Sequence, residues 1–310
     1  MRYLNYFVIM VVVSLTLSAC KKEDPSPTAS PTPTPNTAPT SPVFSIAPAS
    51  GSVDVNSPLQ LAWHPSSDTD GDAITYDVYL GIDNSAISLV SQDQSDTTYS
   101  SVDLELGTQY YFKVVAKDGS ASSESETRNF TSAYTGAYTD TRDGTVYGTI
   151  LIGDQVWMTE NLKYNLASLS YSYNNNSAND ATYGRLYNWS GVTAATPSGW
   201  HLPTDDEWKT LETNLGMPAA DLDINDYLTS RGTDQGTQLK VGGTSGLDFP
   251  IAGFYDGATF TALGNRTYLW VNTLSGGSVF RRRLEASSSS CFRFTNPSGS
   301  FAISVRLVKD

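Results

Sequence analysis

Residues 199–208 read Gly-Trp-His-Leu-Pro-Thr-Asp-Asp-Glu-Trp and contain the clearest helix start in the chain. Thr204 and Glu207 have the spacing of a capping box, in which the threonine hydroxyl and the glutamate each satisfy one backbone N–H at the start of a helix. An apolar stripe with helical spacing follows, formed by Trp208, Leu211 and Leu215. Gly216 and Pro218 then stop the helix. The sequence therefore predicts one well-defined helix that begins directly after a Trp-His-Leu-Pro segment.

Short strand patterns lie on both sides of this helix. Residues 301–308 alternate between apolar and polar side chains and predict a closing strand. Residues 146–152 and 155–158 flank a Gly-Asp pair and predict a β-hairpin. Nearer the N-terminus, alternating runs occur at residues 59–63, 74–80 and 110–116. Short strands separated by turn clusters within about 90 residues are typical of a β-sandwich.

Composition and charge argue against several classes of function. The chain carries 19 basic and 32 acidic side chains and a net charge of −13, whereas nucleic-acid-binding proteins present a basic face. Its two cysteines, Cys20 and Cys291, do not predict a disulfide framework. Its two histidines, His64 and His201, lie in different regions, which argues against a His/Cys zinc site.

The N-terminus has the order of a secretory signal. Arg2 precedes an apolar run at residues 7–13, and small residues lead to Cys20. The run is shorter than the roughly 20 apolar residues that span a bilayer. Residues 17–20, Leu-Ser-Ala-Cys, resemble a bacterial lipobox. This resemblance implies a signal peptide at residues 1–19 and a lipidated mature N-terminus at Cys20.

The residues after Cys20 predict the location of the protein in the cell. Position 21 is Lys21, whereas an aspartate there would resemble an inner-membrane retention signal. The basic-then-acidic cluster at residues 21–24 resembles the surface-export signals of Bacteroidetes lipoproteins. We therefore expect an outer-membrane lipoprotein on the cell surface. Seven prolines within residues 25–43 favour extended polyproline II, so residues 20–43 are predicted to form a tether.

Residues 104–116 resemble a strand of fibronectin type III domains. In that family a leucine and a tyrosine form a tyrosine corner, and a tryptophan on an early strand fills the core. Leu104, Tyr110 and Trp63 stand at the matching positions, while Leu106 replaces the proline that is usual in the turn. The resemblance implies an all-β, immunoglobulin-like sandwich over residues 44–132.

Four segments of the C-terminal half resemble the Fibrobacter major paralogous domain. They are residues 153–162, 183–189, 199–208 and 304–310. The family often has a cysteine in the final strand, where this chain has Leu307, so Cys291 is expected to lack a partner. The His-Leu-Pro-Thr-x-x-Glu-Trp motif also resembles part of the formylglycine-generating enzyme fold. It implies an α+β, C-type-lectin-like domain over residues 138–310.

The sequence matches known arrangements of catalytic residues poorly. Formylglycine-generating chemistry would need active-site cysteines, and the mature chain offers only Cys291 for that role. A hydrolase could combine His201 with a serine and either Asp205 or Asp206. However, the chain has no Gly-x-Ser-x-Gly elbow, and the position of His201 between two apolar residues favours a packed, hydrogen-bonded role. The chain is therefore predicted not to be an enzyme.

A ligand-binding face is predicted on the long loops within residues 217–300. Tyr255, Asp256, Trp270 and Asn272 combine aromatic faces with polar groups, which suits a glycan or another surface protein. The alternative is that Trp270 packs in the core and the loops bind nothing specific. The core candidates include the tryptophans of this half, Trp157, Trp189, Trp200, Trp208 and Trp270. The sequence lacks the triplets of calcium-dependent lectins, so a calcium-mediated sugar site is not predicted.

Two charged clusters have more than one interpretation. Asp68, Asp70 and Asp72 lie on one turn and could hold calcium through three carboxylates, although a solvated connection between strands is the favoured interpretation. Residues 281–283, Arg-Arg-Arg, could grip a phosphate or an acidic glycan. For them too, a solvated strand or loop is the favoured interpretation.

Together these observations predict a surface-anchored lipoprotein with a non-catalytic binding or structural role. Its expected partners are a membrane, through the N-terminal lipid, and a glycan or a surface protein. Nucleic acid is not an expected partner, and calcium is the one candidate cofactor. The first alternative is a carbohydrate-binding accessory lipoprotein, and the second is an enzyme of unknown chemistry.

Overall fold

The structure is a computed structural model that describes residues 34–101 and 103–310. Three predictions lie outside the described residues: the signal peptide at residues 1–19, lipidation at Cys20 and most of the tether. The end of the predicted tether is packed, because Pro39 and Pro42 are buried and the backbone N–H of Thr40 donates to Ser67 O at 2.9 Å. Among the described residues, no helix is both long and apolar enough to cross a membrane.

Two sheets share the first apolar core. The smaller sheet contains, in order, β1 (Val43–Ile46), β3 (Gln60–His64) and β6 (Thr98–Ser100). The larger sheet has the order β2 (Ser52–Val55), β9 (Arg128–Ser132), β7 (Gln109–Lys117), β4 (Thr75–Gly81) and β5 (Ser88–Gln94), with β8 (Ser122–Glu124) paired to β7. Alternate side chains of these strands face inward, as the period of a half-buried strand requires. The resulting core is apolar and rich in aromatic rings.

The predicted tyrosine corner is present. The hydroxyl of Tyr110 accepts a hydrogen bond from the backbone N–H of Glu105 at 3.0 Å. Leu104 is buried nearby, and Trp63 packs edge-on against Tyr76 with 5.4 Å between ring centroids. These contacts confirm the fibronectin-type interpretation of the sandwich, because the corner and the core tryptophan occupy the positions that the sequence indicated.

The turn of the tyrosine corner also meets the next part of the chain. A Cβ at Gly136 would lie 3.2 Å from Leu106 Cδ2, so the leucine that replaces the usual proline rests against this glycine. Gly107 has a φ of +60°, and a Cβ there would lie 2.6 Å from Leu151 Cδ2. Only a glycine therefore fits the turn without moving its neighbour. The strand after the junction begins at Thr135, three residues before the predicted boundary at 138.

The C-terminal half contains two further sheets. The five-stranded sheet has the order β10 (Thr135–Thr139), β11 (Val146–Ile152), β12 (Gln155–Met158), β22 (Val308–Lys309) and β15 (Trp200–His201). The eight-stranded sheet has the order β13 (Ser170–Tyr171), β14 (Leu186–Asn188), β21 (Ala302–Ser304), β16 (Ala252–Tyr255), β18 (Arg266–Ser275), β19 (Ser278–Glu285) and β20 (Phe292–Asn296), with β17 (Phe260–Leu263) paired to β16. The predicted hairpin is confirmed as the β11–β12 pair.

Four α-helices connect these strands. They are α1 (Asp180–Tyr183), α2 (Trp189–Ala195), α3 (Asp205–Asn214) and α4 (Gln235–Leu239), and short 3₁₀ turns lie at Ala167–Leu169, Tyr173–Asn175, Ser177–Asn179 and Ala219–Asp221. Helix α3 is the predicted helix, and both hydrogen bonds of its capping box are formed. Trp208 and Leu211 are fully buried on its inner side.

The predicted closing strand at 301–308 is two strands that join different sheets. Strand β21 ends at Ser304 and β22 begins at Val308. Between them the guanidinium of Arg306 is fully buried and donates to Asn161 Oδ1, Met158 O and Leu247 O. Alternation of apolar and polar residues cannot reveal such a switch, because both strands keep the same period. The chain is mostly β-sheet, and the C-type-lectin-like description of its C-terminal half stays a prediction.

Candidate functional site

A cleft of about 490 Å³ opens beside helix α2. Three parts of the chain form it: the helix itself, the segment that leads from α2 through β15, and Asn272 on β18. Its lining residues are Trp189, Ser190, Val192, Thr193, Thr196, Pro197, Ser198, Trp200, His201, Leu202 and Asn272. Its size falls within the roughly 300–1,000 Å³ that small-molecule sites occupy. We call it the α2 cleft.

Two tryptophans line the α2 cleft, the buried Trp200 and the more exposed Trp189. Trp189 is partly buried and packs on Trp270, with 5.3 Å between ring centroids. Trp270 itself is fully buried, and its indole N–H donates to Tyr187 O at 2.7 Å. Trp270 therefore offers no face to a ligand and instead supports the ring that does.

Polar groups without protein partners surround this ring. The side chains of Ser190, Thr193, Ser198 and Asn272 are exposed and line the cleft. Within the part of the chain that the structure describes, none of these four side chains hydrogen-bonds another residue. The backbone of Asn272 is fixed, because its N–H donates to Pro203 O at 2.8 Å. The cleft thus combines the indole rings of Trp189 and Trp200 with adaptable donors and acceptors.

His201 lies at the edge of the α2 cleft between two carboxylates. Its Nδ1 is 2.7 Å from Asp310 Oδ1 and its Nε2 is 2.7 Å from Glu207 Oε1. Partial burial lowers the pKa of His201, but the hydrogen bonds to Glu207 and Asp310 outweigh it, and the net result is a raised pKa. The pairing of β15 with β22 positions Asp310, and the capping box positions Glu207. This agrees with the predicted packed and hydrogen-bonded role.

The catalytic alternative built on His201 is not assembled. Asp205 points into the interior, where Arg282 and Arg293 bind it at 2.8 and 2.6 Å. The side chain of Asp206 is 93% exposed and lies 3.6 Å from Lys209. Neither aspartate contacts the imidazole, whose two nitrogens are already engaged by other carboxylates. A general base needs a free nitrogen within reach of the proton that it accepts.

A buried network of charges lies on the other side of α3. Asp205 and Glu212 are both buried and share three arginines. Arg231 binds Glu212 at 2.6 Å, Arg282 binds Glu212 at 2.7 Å and Asp205 at 2.8 Å, and Arg293 binds Asp205 at 2.6 Å. Burial raises the pKa of Asp205, but the bonds and charges of Arg293 and Arg282 hold it well below its usual range. We call these five residues the arginine network.

The interpretation of residues 281–283 as a solvated run is wrong. All three arginines are buried, with 2%, 1% and 4% of each residue exposed. The guanidinium of Arg281 stacks between Trp270 and Phe301 at 4.6 and 4.8 Å, and that of Arg283 lies 3.8 Å from the Phe292 ring. Packing on aromatic rings and pairing with shared carboxylates compensate the free-energy cost of burying these arginines. Three consecutive arginines in the sequence do not predict either kind of contact.

The four predicted ligand-binding residues do not share one cleft. Among them, Asn272 alone lines the α2 cleft. Tyr255 is partly buried and stacks with Tyr171 and Phe260, at 4.9 and 4.8 Å. Asp256 closes the turn after β16, where its carboxylate accepts hydrogen bonds from the backbone N–H groups of Ala258 and Thr259. Trp270 is in the core, as the alternative interpretation had it.

The α2 cleft was missed because its tryptophans were assigned to the core. The available signal was the segment 183–200, which places Trp189 at the start of a helix and Trp200 just after its end. That spacing does not show which side of each tryptophan is buried and which is exposed.

The calcium candidates lie together on one loop. Ligand atoms of Asp68, Asp70 and Asp72 fall within 4.8 Å of one another. Asp68 Oδ1 accepts the backbone N–H of Asp70 at 2.7 Å and that of Gly71 at 3.1 Å, and Asp70 Oδ2 accepts that of Thr37 at 2.7 Å. These bonds stabilise the loop by themselves. Calcium binding here stays a prediction.

Comparison with known families covers both halves of the chain. The model of the Fibrobacter succinogenes major domain matches residues 150–309, just over half of the sequence. The chain belongs to this family. A second model, the fibronectin type III domain, matches residues 47–131. The α2 cleft and the arginine network lie within the Fibrobacter succinogenes major domain, because all of their residues fall between 189 and 293.

Solved structures resemble the fibronectin-type part. The fibronectin type III domain of human fibronectin type III domain containing protein 3 is 26% identical, with a TM-score of 0.24, and the match covers 33% of this chain and 90% of that one. The FN1–FN3 domains of chicken CNTN1 are 19% identical, with a TM-score of 0.25 and coverage of 44% and 46%. A search of curated proteins gave no match.

Proposed function

We propose that this chain is a lipid-anchored surface protein that binds a ligand in the α2 cleft without transforming it. A fibronectin type III domain followed by a Fibrobacter succinogenes major domain suggests a surface or binding-type protein. The lipobox-like sequence at residues 17–20 supports export and anchoring, and the proline-rich segment supports display on a tether.

The α2 cleft is the observation that carries the binding role. It is a concave surface of about 490 Å³ whose lining includes the half-buried Trp189 and four polar side chains that have no partner among the described residues. Small-molecule sites combine an apolar lining with a few placed polar groups in this way. Since sites decide function more than folds do, the proposal rests on this cleft and not on the family.

The geometry of His201 supports a non-catalytic role. Both ring nitrogens are held by Glu207 and Asp310, so the imidazole is a structural bridge at the edge of the cleft. The serines of the cleft lining, Ser190 and Ser198, form no hydrogen bond to a base among the described residues. A nucleophilic mechanism needs such a bond to activate a hydroxyl.

The binding role can be tested by filling the cleft. Thr193 is exposed on α2, and Thr193→Trp would place an indole in the cleft. Thr210→Trp makes the same change at an exposed site on α3 outside the cleft and serves as the matched control. The purified full chain is screened by thermal shift against sugars, peptides and nucleotides. We expect at least one class to stabilise the wild type and the control but not Thr193→Trp, and to be recovered chemically unchanged.

Either of two results would remove the proposal. One is that no class of ligand stabilises the wild type, and the other is that Thr193→Trp responds to the ligand as the wild type does.

Anchoring to the membrane has its own test. Cells expressing the wild type and Cys20→Ala are fed a fatty-acid probe, and equal labelling of the two proteins would contradict lipidation at Cys20.

A further inference from the structure

We propose that the α2 cleft takes a neutral carbohydrate, held without calcium, and discriminates against acidic sugars. This inference rests on the proposed binding function and names the ligand class of the same site. It is carried by three properties of the cleft: a half-buried indole in its lining, a rim of hydroxyl and amide groups, and the absence of a lysine or arginine from the lining.

The indole and the rim match the surface of a sugar ring. One face of a pyranose presents C–H groups that pack on an aromatic ring, while its hydroxyls project sideways and need both donors and acceptors. Trp189 supplies the apolar face and packs on Trp270, whose own ring is fixed by the hydrogen bond from its indole N–H to Tyr187 O. The hydroxyls of Ser190, Thr193 and Ser198 each donate and accept, and Asn272 adds an amide.

The charges at the cleft favour a neutral ligand. No lysine or arginine lines it, and the backbone of Lys309 pairs with Trp200 although its side chain is not part of the lining. His201 can carry one positive charge, but Glu207 and Asp310 bind both of its nitrogens. The edge of the cleft is therefore neutral to negative. A carboxylate or sulfate on a sugar would lose its water there and gain no cation in return.

A sugar fits this cleft better than a peptide does. Extended peptides gain most of their affinity by adding a strand to a free sheet edge. Within the described residues, the strand edge at the cleft is β15, which has only two residues and lies at the end of its sheet. That edge is too short for strand addition. The aromatic face and the hydroxyl rim remain the available means of recognition.

The test uses the purified full chain in a buffer with EDTA. Its probes are neutral oligosaccharides of glucose, mannose, galactose or xylose, uronate oligosaccharides of matched length, and uncharged peptides, with affinity measured by calorimetry. We expect a neutral oligosaccharide to bind best. Thr193→Trp should abolish this binding, Asn272→Ala should weaken it by about tenfold, and Thr210→Trp should leave it unchanged.

A charge variant separates the neutral preference from simple shape. Asp310 is exposed at the edge of the cleft, and Asp310→Asn removes one negative charge beside His201. We expect this change to strengthen uronate binding several-fold while neutral binding stays within about twofold.

The outcomes distinguish the ligand class from the site. If uronates bind as tightly as neutral sugars, or if only a peptide binds and Thr193→Trp abolishes its binding, the inference is overturned while the binding function stands. If neutral sugars bind only when calcium is restored, the calcium-free part is overturned. If sugars bind equally well to Thr193→Trp, both the inference and the proposed site fail.

Discussion

The sandwich and the C-terminal domain differ in how many charged side chains they bury. The sandwich core is a cluster of apolar side chains, including Trp63, Tyr76, Phe112 and Phe130. Residues 138–310 bury three carboxylates and seven arginines next to their apolar clusters, and the arginine network contains two of these carboxylates and three of these arginines. The sandwich buries the carboxylate of Asp77, which pairs with the partly exposed Lys117 at 2.8 Å. Regular strands pair their own backbone groups, so the inside of the sandwich needs few polar side chains.

The difference follows from the irregular loops of the C-terminal domain. Arginines there donate to loop carbonyl oxygens as well as to carboxylates. Arg293 donates to Asp223 O at 3.0 Å, Arg231 donates to Leu222 O at 3.0 Å, and Arg281 donates to Pro297 O at 2.7 Å. A guanidinium carries five N–H donors, which lets one side chain satisfy several carbonyls that no strand pairs. Buried arginines in this domain therefore donate to backbone carbonyl groups that no strand pairs.

This arrangement also supports the α2 cleft. Asp205 is the first residue of α3 and is tied to Arg282 on β19 and Arg293 on β20. It therefore fixes the start of the helix close behind residues 200–202, which line the cleft. The two arginines stand opposite each other on neighbouring strands, a repulsive pair that the shared carboxylate compensates.

The largest effect is expected from Glu212. Glu212→Ala leaves Arg231 without its carboxylate and Arg282 with only Asp205, so we expect a loss of about 3–5 kcal/mol in unfolding free energy. Asp206→Ala, on the exposed side of the same helix, should cost under about 1 kcal/mol. Urea denaturation measures both values. Equal losses would show that the network does not stabilise the domain.

Two neighbouring arginines sharpen the comparison. Arg282 is paired with both carboxylates, whereas Arg281 has no ion pair within the described residues and burial lowers its pKa to about 10. Arg282→Met should cost about 3–5 kcal/mol, because Glu212 and Asp205 each lose one of their buried arginine partners. Arg281→Met should cost less, about 1–3 kcal/mol, because it leaves Pro297 O without its donor but breaks no ion pair. The reverse order in urea denaturation would contradict this account.

Acid should affect the C-terminal domain through its network. The pKa of Asp205 is depressed in the folded state, so its contribution is present above its unfolded value near 4 and is lost as the pH falls below it. We expect unfolding free energy to fall steeply between about pH 5 and pH 2. Asp205→Asn should be less stable at pH 7 and should show a shallower slope. An unchanged slope would exclude Asp205 as a source of the acid sensitivity.

The smallest effect concerns His201. Its folded pKa is raised, so the stability that it contributes is complete below its unfolded value of about 6.5 and is lost as the pH rises through the folded value. His201→Gln should therefore be less stable than the wild type at pH 6 and closer to it at pH 8. Thermal unfolding of both proteins at both pH values checks this. A stability difference between wild type and variant that is larger at pH 8 than at pH 6 would contradict a stabilising His201 bridge between Glu207 and Asp310.

Local patterns in the sequence predicted the local parts of the fold. The capping box at Thr204, the hairpin around Gly153 and the tyrosine corner at Tyr110 each depend on residues a few positions apart, and all three are confirmed. Glu212 and Arg282 are 70 residues apart. No periodicity relates such a pair, so the arginine network could not be predicted.

The candidate site was predicted only at Asn272. The α2 cleft forms where a helix, an edge strand and the middle of a long strand come together. The sequence showed tryptophans at 189, 200 and 270 but not which one keeps an exposed side. That depends on packing between distant elements, since Trp270 is covered by Trp189 and by the stacked guanidinium of Arg281.

The most direct test of this account follows the six tryptophan indole N–H signals by nuclear magnetic resonance during titration with the best-binding neutral oligosaccharide. The account predicts that the Trp189 signal shifts most, because Trp189 is the more exposed of the two tryptophans in the cleft lining. Smaller shifts are expected at Trp200, which lines the cleft but is buried, and at Trp270, which packs on Trp189. The signals of Trp63 in the sandwich and Trp208 beside the arginine network should stay unchanged. Shifts at Trp63 or Trp208 without a shift at Trp189 would contradict the α2 cleft as the binding site.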